Sequence, residues 1–161
     1  MNDVITILYA AIASGTIILY ATIGEIITER SGILNLGVEG IMLMGAFFGF
    51  YLAYTTESLI LAILGAALIG GAMGLIHALM TITLQANQVV SGLALTMFGT
   101  GASAFFGVSM VGKTLKASFE AIPIPLLNKI PVLGEVLFNH NILVYFAFVL
   151  PVIVWFVFNR T

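Results

Sequence analysis

The 161-residue sequence has no cysteine, which excludes disulfides, thiolate nucleophiles and cysteine metal sites and leaves the redox compartment open. Charge is nearly as scarce. Only 7% of residues are Asp, Glu, Lys or Arg, against roughly 25% in an ordinary soluble domain, and 61% are hydrophobic. The five basic residues are scattered and the formal net charge is −2, so no lysine- or arginine-rich stripe can neutralise a row of phosphates and nucleic-acid binding is not expected. A soluble domain, a low-complexity tract and a fixed-period repeat are also missing, so residues 1–161 are expected to form one transmembrane domain or part of one.

What is present is long uncharged sequence. Five tracts, at about 4–23, 36–54, 59–79, 88–106 and 142–158, are each about 17 to 21 residues long, enough to cross roughly 30 Å of hydrocarbon as helices. They do not alternate apolar with polar as barrel strands do, and backbone groups in lipid must be bonded within their own segment. The expected fold is therefore an all-α membrane protein, a polytopic bundle of about five transmembrane helices. The start Met1-Asn2-Asp3 lacks the basic region of a secretory signal, so the first tract is expected to be a retained helix. The sequence stops at Asn159-Arg160-Thr161 directly behind a span, which suggests part of a longer domain.

Small residues recur at four-residue spacing: Ala11 and Gly15, Gly45 and Gly49, Gly70 and Gly74, and the row Gly92, Thr96, Thr100, Ala104. Such rows let helix backbones approach closely. The last tract is bulky all round, which suits a lipid-facing helix with Trp155 near an interface and a kink at Pro151. One connection is long. Residues 107–141 carry Lys113, Lys116, Glu120, Lys129 and Glu135 with Pro123, Pro125 and Pro131, and are expected to form an ordered surface segment with short helices.

Polar residues inside or beside the spans are the candidates for chemistry. Glu39 sits between Leu36-Gly37-Val38 and Gly40-Ile41-Met42, and a carboxylate at a helix centre costs about 2.5–3.5 kcal/mol on insertion scales. Either it lines a solute path, or its helix starts near Asn35 and places it in a first turn favoured by the helix dipole. The run Gln85-Ala86-Asn87-Gln88-Val89-Val90-Ser91-Gly92 likewise allows two readings: uncharged donors and acceptors of a binding pocket, or a short loop in which Asn87 caps the next helix. Phe47, Phe48 and Phe98 offer stacking faces, although phenylalanines in spans are commonly packing residues.

Enzyme readings find little. His77 reads as a packed interfacial residue and His140 is isolated, so no metal constellation is expected. Gly101-Ala102-Ser103-Ala104 has the form used by intramembrane serine proteases, but no histidine follows on a later span. Gly107 to Thr114 fits the P-loop spacing without the strand and helix that would make it one, so an ATPase site and a bound cofactor are not expected in this chain.

The run Glu29-Arg30-Ser31-Gly32-Ile33-Leu34-Asn35-Leu36-Gly37-Val38-Glu39-Gly40-Ile41-Met42-Leu43-Met44-Gly45-Ala46 resembles a signature region of the importer permeases of the branched-chain amino acid, ribose and nucleoside superfamily of ATP-binding-cassette transporters. The resemblance extends through His77-Ala78-Leu79, through Ala86-Asn87-Gln88-Val89-Val90-Ser91-Gly92, and through Ile122-Pro123-Ile124-Pro125 with Ile130-Pro131-Val132-Leu133-Gly134, and points to the simple-sugar and nucleoside branch. It implies the N-terminal half of a permease in the cytoplasmic membrane of a bacterium. The implied partners are a second permease subunit, cytoplasmic ATPases, a lipid-anchored extracytoplasmic solute-binding protein and membrane lipids. The candidate pathway residues on this view are Glu39, Asn87, Gln88, Ser91 and Phe98. The resemblance also places segment 107–141 outside the cell, whereas counting Lys113, Lys116 and Lys129 against Arg30 and Arg160 would place it inside.

Overall fold

A computed structural model describes residues 3–160, apart from the Lys129 side chain. The expectations for Met1, Asn2 and Thr161 concern residues outside the described ones. Among the described residues, five helical segments are long and apolar enough to cross a membrane: Asp3–Arg30, Val38–Thr56, Leu59–Thr83, Gln88–Met110 and Ile142–Arg160. Here α1 is Asp3–Arg30, α2 Val38–Thr56, α3 Leu59–Ala78 and α4 Gln88–Gly107, followed by strand β1 (Ile122–Pro123), the short α5 (Leu133–Leu137), strand β2 (Asn139–His140) and α6 (Ile142–Arg160). The expected multi-pass all-α membrane architecture is the one observed.

The helices run further than the expected spans at their C-terminal ends, most of all α1. Helix α1 runs past residue 23 to Arg30, because the charges that suggested a stop are accommodated: Glu25 Oε1 accepts the Asn35 N–H at 2.9 Å and Thr28 Oγ1 donates to Glu25 Oε2 at 3.3 Å. Gly32 at φ +80° ends it, with the Gly32 N–H bonded to Glu29 O and the Ile33 N–H to Thr28 O, a glycine C-cap. Helix α3 continues into a π-turn at Leu79–Thr83, where the Leu84 N–H reaches Leu79 O at 3.0 Å, and Gln85 turns the chain with φ +50°.

The contacts fall into two units, residues 25–118 and residues 1–24 with 119–161. In the first, Met44, Met73 and Leu95 form a buried core flanked by Ile41, Phe48, Ile69 and Ala102. Helices α2 and α4 meet through glycines. A Cβ built on Gly99 would lie 2.4 Å from Gly40 O, one on Gly40 2.5 Å from Leu95 O, and one on Gly92 2.8 Å from Leu36 N. The expected row on α4 is thus used at Gly92 and Thr96 but passes through Gly99, while Thr100 and Ala104 line a separate cleft of about 500 Å³ with Leu43, Phe47 and Met110. Gly45 and Gly49 face Ala62 and Ala66 of α3 at ordinary contact distance. Gly15 and Gly74 meet nothing within 4 Å.

The second unit contains most of the long connection. Strands β1 and β2 pair antiparallel, with Ile122 opposite His140 and Pro123 opposite Asn139. His140, 1% exposed, stacks on Tyr9 with ring centroids 4.3 Å apart, and its Nε2 donates to Val136 O at 2.8 Å. The Tyr145 hydroxyl accepts the His140 N–H at 3.0 Å and donates to Ile122 O at 2.8 Å, so one phenol closes the hairpin from α6. Tyr20 donates to Leu143 O at 2.7 Å. Helix α6 is helical on both sides of Pro151, with Trp155 exposed.

Candidate functional site

The chain between α1 and α2 is irregular, and its buried backbone groups need partners. Side chains from three helices supply them. Gln88, in the first turn of α4, accepts the Leu34 N–H at 2.8 Å through Oε1 and donates to Gly32 O at 3.3 Å through Nε2. His77 of α3 meets Leu34 O at 3.2 Å through Nε2, and Thr96 donates to Leu36 O at 2.8 Å. Glu25 holds the Asn35 N–H, and Asn35 Oδ1 accepts the Gly37 N–H at 3.0 Å, an Asx-type turn leading into α2. A buried group left unpaired here would cost about 1–3 kcal/mol, while each bond made contributes about 0.5–1.5 kcal/mol net.

Behind this segment lies a cleft of about 310 Å³ between α3 and α4, lined by Ile76, His77, Met80, Ser91, Ala94, Leu95 and Phe98. Its floor is polar. His77 is 3% exposed and Ser91 is buried beside it, with Ser91 Oγ 3.3 Å from His77 Nδ1. Thr81, in the π-turn, donates to His77 O at 2.8 Å and ties the cleft wall to the same residue. The rim is apolar, and the Phe98 ring is 59% exposed.

The five candidate pathway residues divide accordingly. Ser91 and Phe98 both line the α3–α4 cleft. Asn87 is the N-cap of α4, its Oδ1 accepting the Val89 and Val90 N–H groups at 3.0 and 3.1 Å, and Gln88 is committed at both ends to the Gly32–Leu34 backbone. Glu39 is exposed and falls in the first turn of α2, where a carboxylate is favoured by the helix dipole. Sequence reasoning treated His77 as a packing residue and missed its place on the cleft floor. Only its four-residue offset from Thr81 and the polar run after it hinted at this. Ser103 donates to Thr100 O within its own helix at 3.1 Å, and residues 107–114 follow the C-terminal end of α4 rather than a strand.

At the other end of the same unit, Phe47, Phe48, Tyr51, Phe106 and Ser109 line a cleft of about 280 Å³, with Phe47 stacked on Phe106 at 6.0 Å. Lys116 pairs with Glu57 at 2.5 Å, and Lys113 lies over the Tyr54 ring at 4.8 Å. The Glu57 hydrogen bond and charge hold the Lys116 ammonium above the ordinary lysine value. Among the described residues no three His, Cys, Asp or Glu side chains converge as a metal site.

Residues 6–161 match the family model described as the branched-chain amino acid transport system permease component. Three curated relatives agree with it. The chain is 36% identical over 159 residues to a Haloferax volcanii protein, TsgC13, assigned as a glucose ABC transporter permease, covering 96% of this chain and 48% of that one. It is 36% identical over 170 residues to the guanosine ABC transporter permease protein NupQ of Bacillus subtilis, covering 97% and 51%. It is 33% identical over 156 residues to the nucleoside ABC transporter permease protein NupC of Lactococcus lactis, covering 91% and 49%. The chain thus spans about half the length of the curated relatives it matches. No solved structure matches it significantly. With five apolar helices and a family match over nearly its whole length, the chain belongs to the branched-chain amino acid transport system permease family, as a multi-pass protein of the plasma membrane.

Proposed function

We propose that the chain forms part of the permease of an ATP-driven importer that moves nucleosides or simple sugars. The observation that carries this is the match of nearly the whole chain to three permeases named for guanosine, nucleoside and glucose transport. On this reading ATP is hydrolysed by cytoplasmic partner subunits, a second permease subunit completes the path, and an extracytoplasmic solute-binding protein delivers the solute. Segment 107–141 lies outside the cell. Ser91, Phe98 and Glu39 border the path, and Asn87 and Gln88 hold the frame of α4 and of the Gly32–Leu34 turn around it, which their hydrogen bonds support.

The experiment is uptake of radiolabelled nucleoside and sugar in cells lacking the gene, with the gene restored as wild type or as Glu39→Gln. Restored uptake with the wild type, and reduced uptake at unchanged membrane abundance with the variant, is expected. Normal uptake without the gene would leave a helix-packing scaffold as the better account.

A further inference from the structure

The α3–α4 cleft has a polarity that discriminates between the two solute classes. Leu34 O can only accept a hydrogen bond, so the His77 Nε2 that meets it at 3.2 Å carries the proton, and in the neutral ring Nδ1 is then an acceptor. Ser91 Oγ, 3.3 Å from that Nδ1, must donate its own hydrogen to it. Both histidine nitrogens and the serine hydrogen are thereby used up. What remains on the cleft floor is one acceptor, the free lone pairs of Ser91 Oγ.

We infer that this cleft binds the planar base of a nucleoside, with a base N–H or amino group donating to Ser91 Oγ and the Phe98 ring against one face. This rests on the importer reading above and narrows its substrate class. The walls are Ile76, Met80, Ala94, Leu95 and Phe98, which suit the two apolar faces of a heteroaromatic ring, and the Met80 thioether adds a soft contact to an aromatic edge. A pyranose presents hydroxyls on every side. Buried in this cleft, most would lose water without gaining a partner, and unpaired polar groups discriminate strongly against such a ligand. At about 310 Å³ the cleft is at the small end of the roughly 300–1,000 Å³ typical of small-molecule sites, the size for a base with its ribose reaching outward.

The test uses membranes containing the chain with its natural partners, photolabelled with 8-azidoadenosine without ATP. Label is expected between residues 76 and 98, displaced by adenosine, displaced about ten-fold less well by purine riboside, which lacks the amino group, and not displaced by glucose. Phe98→Ala should cut labelling about ten-fold and Phe98→Tyr should retain it, and because this ring is exposed, membrane abundance should hold in both. Ser91→Ala should erase the preference for adenosine over purine riboside. Label outside the cleft, competition by glucose equal to that by adenosine, or an unchanged preference in Ser91→Ala would overturn the assignment. The labelling needs no ATP, so a labelled cleft in a membrane without ATP-driven uptake would remove the importer reading and leave the site, and ATP-driven uptake with label elsewhere would do the reverse.

Discussion

Gly99 of α4 packs so closely on Gly40 of α2 that a methyl group on it would lie 2.4 Å from the Gly40 carbonyl oxygen. That oxygen belongs to helix backbone, so the neighbour cannot yield without moving α2. Gly99→Ala is therefore expected to destabilise the protein by about 1–3 kcal/mol, as overpacking does, despite alanine's better helix propensity. Gly71→Ala, where nothing lies within 4 Å, is the control and should be neutral or mildly stabilising. Thermal unfolding of both variants in detergent measures the difference.

Gln88 supplies one acceptor and one donor to the turn between α1 and α2. Gln88→Ala leaves the Leu34 N–H and the Gly32 carbonyl without these partners, at an expected cost of about 1–3 kcal/mol. Hydrogen exchange at the Leu34 amide should quicken accordingly, while amides in the middle of α4 stay protected.

Asn87 caps α4 through two backbone N–H groups. Asn87→Ala should cost about 1 kcal/mol and Asn87→Ser much less, because serine can accept the same bonds. If both variants keep solute uptake in proportion to their membrane abundance, the side chain acts through the helix start alone.

The sequence made the class of molecule legible, because solvent leaves a mark on composition: long uncharged tracts with scarce charge between them state their medium. It offered the Asn87 cap only as one of two readings, between which the structure shows the cap. Long-range partnership was not legible. Nothing local to Gln88 shows that its amide reaches Gly32 and Leu34, more than fifty positions earlier. The α4 row illustrates the same limit, since a four-residue spacing selected Thr100 and Ala104 where the helix crossing uses Gly99. His140 read as an isolated loop residue, and its burial against Tyr9 depends on a hairpin of only two residue pairs.

Tyr145 closes that hairpin with a single hydroxyl. Tyr145→Phe keeps the ring and removes both bonds, so about 1–3 kcal/mol of stability is expected to be lost. Limited proteolysis within residues 119–141 should accelerate, with α2 to α4 unaffected.

The Lys116 ammonium is held above the ordinary lysine value of 10.5 because Glu57 accepts its hydrogen bond. The folded state thus favours the charged form, so any contribution of the pair is fully present below the unfolded value and is lost as pH rises through the folded one, in the alkaline range. Glu57→Gln should bring the Lys116 titration, followed by NMR of a labelled side chain, back toward the ordinary value. The exposed pair should also weaken with added salt.

The most direct measurement is ATP-dependent accumulation of labelled guanosine in membrane vesicles that hold the chain with the proposed partner ATPase and solute-binding protein. Accumulation that requires this chain and ATP, and that falls with Phe98→Ala at constant abundance, is the expected result. Equal accumulation in vesicles lacking the chain would contradict its place in the permease.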